Sequence, residues 1–282
     1  MILVFGKTGQ VAMELARRLP NARFLSRNDV DLKDAEACGR IILESDAEAV
    51  INAAAYTAVD RAEEEEDLVT TVNGISPIAM AVACNEKRIP FLHISTDYVF
   101  DGSGETPFTV EAPTAPLGAY GRSKLVGEKG VRMAGGITAI LRTSWIVSSY
   151  GNNFVKTMLR LSETRDRLTI VADQVGGPTC AADIAEACIT IVTQLKTAPE
   201  KSGTYHFSGG PNVSWAEFAR EIFAQMSRQV EVTNIPSSAY PTLARRPGNS
   251  RLDNSETEAV FGISRPDWRR GLRDILSELD GR

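Results

Sequence analysis

The chain opens on the apolar run Ile2-Leu3-Val4-Phe5, turns through Gly6-Lys7-Thr8-Gly9, and then repeats apolar residues at helical spacing, Val11, Leu15 and Leu19, until Pro20. Strand, glycine turn and amphipathic helix form the first half of a βαβ unit. The alternation continues. Short β-branched or apolar runs predict strands over residues 2–5, 23–26, 49–53, 91–95 and 138–142. Helical periodicity predicts helices over 10–19, 34–44, 61–72, 77–86 and 119–133, the last entered through a proline-rich loop over 107–116.

Short strands alternating with helices predict an α/β fold: a Rossmann-type doubly wound parallel sheet with helices on both faces. After about residue 150 the spacing loosens and Gly, Pro, Asn and Ser become commoner, although 183–194 and 215–226 still read as helices. We therefore expect a smaller C-terminal α/β domain interleaved with the sheet domain. The division expected is 1–150 for the sheet domain, with part of 169–207 returning to it, and 151–282 for most of the second domain. The acidic run Glu63-Glu64-Glu65-Glu66-Asp67 falls on a predicted helix and reads as a solvated face. No internal repeat or low-complexity linker is present.

Composition narrows the function classes. At 43% hydrophobic and 24% charged residues the chain is of ordinary globular type. With 31 Lys and Arg against 36 Asp and Glu, the net charge of −5 argues against a nucleic-acid partner, which needs a concentrated basic face. No uncharged apolar stretch approaches the about 18–20 residues of a membrane span, and the opening run is short for a signal peptide. The expectation is a cytoplasmic protein with no membrane partner. Cys38, Cys84, Cys180 and Cys188 show no C-x-x-C spacing and read as core or boundary thiols of a reducing compartment. The two histidines, His93 and His206, lie too far apart for histidine-based zinc patterns, which argues against a histidine-based metal hydrolase.

The turn Gly6-Lys7-Thr8-Gly9-Gln10-Val11-Ala12 stands where a dinucleotide fingerprint must stand, between the first strand and first helix. Glycine permits the tight turn and lets a pyrophosphate reach the backbone N–H groups at the helix start. Gly6, Gly9, Gln10 and Val11 are the candidate cofactor residues. A phosphate loop of the mononucleotide type fails, because its first glycine would fall on Met1. Near the end of the second strand, Ser26 and Arg27 place a hydroxyl and a cation where a 2′-phosphate would lie, favouring NADPH. Asp29 and Asp31 stand close enough to keep NADH open.

Tyr120 and Lys124 are four residues apart and so share one helix face. A nearby ammonium favours the phenolate, which makes the pair a proton-transfer candidate. Ser95-Thr96-Asp97 closes the fourth strand, where hydroxyls emerge at the carboxyl edge of a parallel sheet.

With these motifs in place, the chain resembles the extended short-chain dehydrogenase/reductase family, and within it the dTDP-4-dehydrorhamnose reductase branch. The resemblance rests on the glycine turn, Asn52-Ala53-Ala54-Ala55-Tyr56-Thr57-Ala58-Val59-Asp60, Ser95 to Phe100, Tyr120 to Lys124 and Arg142-Thr143-Ser144-Trp145. Further along it rests on Gly151-Asn152-Asn153-Phe154, Asp173-Gln174, Gly177-Pro178-Thr179 and Arg246-Pro247-Gly248-Asn249-Ser250, all in the family's order.

The resemblance implies that Gly9, Gln10 and Val11 meet the cofactor pyrophosphate, Asp31 and Leu32 the adenine end, and Ala55, Tyr56 and Thr57 the riboses. Tyr120 and Lys124 would touch the nicotinamide ribose. Thr96, Asp97, Trp145 and Asn153 would face the sugar, and Arg246 the substrate diphosphate, where a guanidinium binds phosphate in a fork. The implied reaction is hydride transfer from NADPH or NADH to the 4-keto carbon of dTDP-4-dehydro-β-L-rhamnose, giving dTDP-β-L-rhamnose. In it Tyr120 serves as acid, Thr96 as a second donor to the oxygen, and Lys124 as the group that holds the ribose and tunes the phenol.

Other functions stay open at this point. Related dehydratases carry Asp-Glu after the threonine where this chain has Asp97-Tyr98, which favours simple reduction. A reductase of another nucleotide-linked 4-keto-6-deoxy sugar fits the same motifs, and so does a non-catalytic subunit like that regulating methionine adenosyltransferase. Some relatives are magnesium-linked dimers held by glutamates. Glu14 and Glu278 match two of those positions, but Ala182 stands at a third, so a metal bridge is doubtful and a homodimer is left open.

Overall fold

The computed structural model describes residues 1–281. Five strands, β1 (Ile2–Phe5), β2 (Arg23–Leu25), β3 (Ala49–Asn52), β4 (Phe91–Thr96) and β5 (Thr138–Thr143), join a sixth, Gly203–His206, in one sheet. Its order is β2-β1-β3-β4-β5 and then 203–206, with every pairing parallel. The order reverses between β1 and β3, so the crevice at their carboxyl ends is the place such a sheet offers a ligand.

Strand side chains alternate between two cores because a strand has a period of two. Val4, Ile51, Leu92 and Leu141 face one side, with Leu15 of α1 (Gln10–Arg18) and Ile184, Cys188 and Ile191 of α8 (Ala181–Leu195). Leu3, Phe5, Val50, Phe91 and Ile140 face the other. There they meet Ile42 of α2 (Ala35–Leu43), Met80 of α5 (Ser76–Lys87) and Val131 of α6 (Ala119–Ala134). A third core packs α7 (Phe154–Leu161), α9 (Trp215–Gln225) and the last helix, Trp268–Asp280, against Arg167–Val171, which pairs in parallel with Glu231–Ile235. Ser214 and Glu217 start α9 with a reciprocal capping box.

Two regions depart from the sequence expectation. The helix predicted over 61–72 is two short helices, α3 (Val59–Ala62) and α4 (Glu66–Thr70). A π-turn over Thr71–Ile75 then joins α4 to α5. The joined helix Glu66–Lys87 is long and apolar enough by composition to cross a membrane, yet half of its most apolar window is buried within the protein. The acidic run is also more than a solvated face. Glu63 accepts from the Ala119 N–H at the start of α6 (2.9 Å), Glu65 from the Tyr56 hydroxyl (2.5 Å), and Glu66 pairs with Arg122 (2.7 Å). Gly118, which precedes α6, has no side chain to cap that helix, so a carboxylate distant in sequence does so.

Tyr120, Lys124 and Glu128 follow one another at intervals of four along α6 and form one stripe. Glu128 is fully buried and accepts from Ser95 Oγ (2.6 Å) and from Arg142 Nε (2.9 Å) and Nη2 (2.7 Å). Burial alone would raise this carboxyl, but the hydrogen bond and charge of Arg142, with Ser95 and Arg132, hold it below the usual range. Arg142→Met should therefore cost about 3–5 kcal/mol by stranding the carboxylate, with much of the loss recovered in a Glu128→Leu/Arg142→Met double variant. Urea denaturation midpoints of the three proteins test this.

Candidate active site

The glycine turn is built for close approach. Gly6 has φ 110°, a left-handed conformation, and a Cβ there would lie 3.3 Å from the Ala53 carbonyl. Gly9 precedes α1 and offers no side-chain cap, so the first N–H groups of that helix stay available to an anion. Gln10 opens the helix and its Oε1 accepts from Asn153 Nδ2 (3.0 Å), while Val11 is buried in the sheet core. At the end of β2, Ser26 donates through both N–H and Oγ to Asp29 Oδ2 (2.8 and 2.6 Å). These bonds hold the Asp29 carboxyl below its usual range. Arg27 stands exposed beside that clasp. Asp31 accepts from the Lys33 N–H (3.0 Å), and Leu32 packs partly into the adjoining core.

Ala55, Tyr56 and Thr57 follow β3 along the crevice. Asn73, in the π-turn, accepts from the Tyr56 N–H (2.8 Å) and donates to Tyr56 O (3.0 Å) and Ser123 Oγ (3.1 Å). This amide staples the post-β3 loop to α6, one residue from Lys124. The Asn73-Gly74 pair was the only local cue to this break in the helix, and helical periodicity through 61–72 and 77–86 gives no hint that the amide points inward.

The end of β4 carries the densest polar group. Thr96 Oγ1 accepts from the Tyr98 N–H (3.2 Å) and donates to Asp97 Oδ1 (3.1 Å). Asp97 is 2% exposed, and its Oδ2 makes no hydrogen bond of ordinary geometry. Thr143, paired with Thr96 in the sheet, likewise has an unpartnered buried hydroxyl. Two orphaned polar atoms at one sheet edge mark a place shaped for a polar ligand. Burial raises the Asp97 carboxyl to about 6, against hydrogen bonds with Ser250 and Thr96 that pull it down.

Tyr120 faces this cluster from α6 and meets Tyr98 edge-on at 5.5 Å. Burial pushes its phenol up, and hydrogen bonding with Thr96 pulls it part of the way back. The expectation that Lys124 tunes the phenol meets a different geometry. Lys124 is 1% exposed, donates to Ile94 O (2.6 Å) and lies 3.2 Å from His93 Nε2, so its nitrogen points at β4.

The sugar-side expectations divide. Trp145 follows β5 with φ 49°, stacks on Trp215 (centroids 3.5 Å, 9°), and lies against Gly176, where a Cβ would come within 2.9 Å of the indole. Asn153 lies at the start of α7. It caps α7, accepting from the Lys156 N–H (3.2 Å), and gives its amide to Ser148 O (2.7 Å), Tyr150 O (3.2 Å) and Gln10. The structure thus ties Asn153 to the glycine-turn side of the crevice, because a helix start demands its oxygen. Arg246 is ion-paired to Asp60, which also accepts from the Ala244 N–H (3.0 Å), and it lowers the neighbouring Tyr98 phenol, which burial has raised to about 12.

Residues 1–280 match the family model described as RmlD substrate binding domain. The chain belongs to that family. It is 42% identical over 287 residues to the dTDP-4-dehydrorhamnose reductase of Sinorhizobium fredii, covering 99% of this chain and 97% of that protein. The Escherichia coli K12 enzyme of the same name is 38% identical over 291 residues, with the same coverages. Among solved structures, the Clostridium acetobutylicum dTDP-4-dehydrorhamnose reductase superposes with a TM-score of 0.93 at 36% identity over 99% of both chains. That of Bacillus anthracis, in complex with NADP, gives 0.91 at 33% identity over 98% of both.

Within the RmlD family frame, the bare helix start, the glycine cradle and the exposed Arg27 fit a phosphorylated dinucleotide. A magnesium ion does not fit. Glu14 is taken by Arg18 (2.5 Å) and Arg17 (3.6 Å), Glu278 by Arg17 (2.6 Å) and Ser149 (2.6 Å), and Ala182 supplies no ligand atom. Arginines already neutralise the carboxylates a metal would need.

Because Asp97 folds with its carboxyl raised, it opposes folding above that range, and the penalty fades as pH falls from about 6 towards the unfolded value near 4. Asp97→Asn should raise stability at neutral pH by about 1–3 kcal/mol, with the advantage vanishing near pH ~4. Denaturation midpoints across pH check both parts.

Proposed function

We infer that the protein is an NADPH-dependent oxidoreductase that reduces the 4-keto group of dTDP-4-dehydro-β-L-rhamnose to dTDP-β-L-rhamnose. The observation that carries the reading is one edge holding Tyr120, Thr96 and the unpartnered Asp97 Oδ2 beside a dinucleotide turn. Full-length similarity to proteins named dTDP-4-dehydrorhamnose reductase supports the substrate, and the NADP complex of a relative supports the cofactor.

The glycine turn would hold a dinucleotide by its pyrophosphate, and the nicotinamide end of that cofactor would supply the hydride. Tyr120 gives its proton to the oxygen as negative charge grows there, and Thr96 donates a second hydrogen bond to the same atom. A raised phenol suits this direction of reaction, since the acid must be protonated before hydride arrives. Lys124, one turn along α6 from Tyr120, would hold the nicotinamide ribose. Before substrate binds, the single Thr96 proton goes to Asp97 Oδ1 (3.1 Å); on binding, the hydroxyl turns that proton to the keto oxygen, and Asp97 Oδ2 accepts from a sugar hydroxyl. Trp145, held flat by Trp215, walls the hexose. Arg246, already aligned by Asp60, takes the substrate diphosphate.

In this reading residues 1–150, with α8 and the strand 203–206, hold the dinucleotide, and the remainder of 151–282 holds the sugar nucleotide. Gly6, Gly9, Gln10 and Val11 serve the pyrophosphate, while Arg27, Asp31 and Leu32 serve the adenosine end. Ala55, Tyr56 and Thr57 line the ribose path. A cytoplasmic location is part of this reading, supported by its nucleotide-linked substrate and dinucleotide cofactor.

Tyr120→Phe should lower turnover on the order of 100–10,000-fold while leaving cofactor affinity nearly unchanged. NADPH oxidation with enzymatically generated keto-sugar, and product identification by NMR, test it; wild-type turnover in the variant would exclude Tyr120 as the acid. Arg27→Ala should weaken NADPH binding about 10–100-fold and leave NADH binding nearly unaffected, as fits one charge-assisted phosphate contact. Calorimetric titration with both cofactors reads the difference.

A further inference from the structure

A strap of chain beside the crevice is fastened at two carboxylates. At its start, Asp173 accepts from the Ser237 N–H (2.9 Å) and from Ser237 Oγ (2.6 Å), and Gln174 Nε2 donates to the same hydroxyl (2.9 Å). Asp173 follows the strand Arg167–Val171. At the far end of the strap, Asp60 Oδ1 accepts from the Ala244 N–H (3.0 Å), and Asp60 Oδ2 is ion-paired with Arg246 Nη2. Asp60 belongs to α3, in the chain that leaves the carboxyl end of β3. The strap therefore runs from the C-terminal half of the chain to the side of the crevice that β3 forms.

Between these fasteners the bonds are local. The Ala239 and Tyr240 N–H groups donate to Pro236 O and Ser237 O (3.0 Å each), and Thr242 Oγ1 donates to Ala244 O (2.8 Å). Tyr240 and Leu243 are 63% and 62% exposed, whereas Ala244 is 1% exposed. Burial thus begins at the residue whose N–H Asp60 holds. Beyond the strap, Pro247 packs on Gly102, where a Cβ would lie 2.5 Å from its own, and the Asn249 N–H donates to Gly102 O (2.9 Å). Without Asp60, residues 238–246 would hang as one loop between Ser237 and Pro247.

Arg246 is the group that the reductase reading turns towards the substrate diphosphate. Its guanidinium is held at two points, the Asp60 carboxylate and the Tyr98 phenol, which it lowers by hydrogen bond and by charge. Tyr98 in turn meets the Tyr120 ring edge-on. A guanidinium fixed before an anion arrives loses less rotamer freedom on binding it.

We propose that Asp60 is a positioning residue for substrate binding: it latches the strap 237–246 to α3 and, through Arg246, presets the charge that a nucleoside diphosphate meets. The identity of the ligand rests on the reductase reading above, whereas the latch does not. Asp60 acts through Arg246 and not on the phenol of Tyr120, so its loss weakens ground state and transition state alike.

Chymotrypsin acting on the native, full-length protein reads the latch, because cutting after Leu243 requires Ala244 to leave Asp60. Asp60→Ala should be nicked between Leu243 and Ala244 about 10-fold faster than the wild type, as followed by mass spectrometry of the fragments. Asp60→Asn keeps an oxygen for the Ala244 N–H and loses the charge, so its nicking should stay close to the wild-type rate. In calorimetric titration with dTDP, affinity should fall about 10–100-fold in Asp60→Ala and by a smaller factor in Asp60→Asn. KM for the keto-sugar nucleotide should rise in step, with kcat held within about twofold.

An unchanged nicking rate in Asp60→Ala would overturn the latch. Faster nicking with unchanged dTDP affinity, or a fall in kcat at constant KM, would overturn the positioning role. Weakened dTDP binding in the variant, beside a wild type that reduces no keto-sugar, would sink the reductase reading and leave the proposal standing; a wild type that binds no dTDP would end both.

Discussion

The buried carboxylate of Glu128 is the constraint on which the site depends. A charge with no access to water must be met on every lone pair, and Ser95, Arg142 and Arg132 meet it from β4, β5 and the helix itself. Those bonds fix the rotation of α6 about its own axis. Lys124 lies one turn before Glu128, and Tyr120 two turns before it, so the same rotation that satisfies the carboxylate aims the lysine nitrogen at β4 and the phenol at the carboxyl edge of the sheet. Arg142 extends the anchor to His206 on the sixth strand, so the edge strand of the sheet also takes part.

The catalytic edge itself is under-satisfied, and this follows from the parallel sheet. Every strand delivers its carboxyl end to the same side, and chain leaving β3, β4 and β5 must turn there without a neighbouring strand to take its polar groups. Asn73 closes one such gap from the π-turn, and the segment 240–250 closes another through Arg246, Asp60 and the Ser250 side of Asp97. What stays open is Asp97 Oδ2 and the Thr143 hydroxyl. A structure that left these atoms without purpose would be less stable for no return, whereas a polar substrate supplies the missing partners.

Much of the sheet was legible from periodicity. The five predicted strands differ from those observed by at most one residue at an end, because short buried runs flanked by turn residues leave few alternatives. The glycine turn was legible for the same local reason: Gly6 adopts a conformation few other residues tolerate. The Tyr120 and Lys124 spacing was legible as a shared helix face, but what Lys124 touches was not, since His93 and Ile94 come from a strand about thirty residues away. Asn153 shows a second limit. Its place in a family motif did not reveal that its side chain also starts α7 and reaches Gln10 of the glycine turn.

By itself the sequence determined the βαβ order, the glycine turn, the stripe on α6 and the identities of the groups available for proton transfer. These depend on neighbours within a few residues, where backbone preference and side-chain period act directly. Only the tertiary structure decided the packing of Lys124 against His93 and Ile94, the pairing of Arg246 with Asp60, the two arginines set against Glu14 and Glu278, and the buried, unpartnered oxygen of Asp97. Each of these is a competition between partners far apart in the chain, settled by which buried polar group has no other place to put its hydrogen bond.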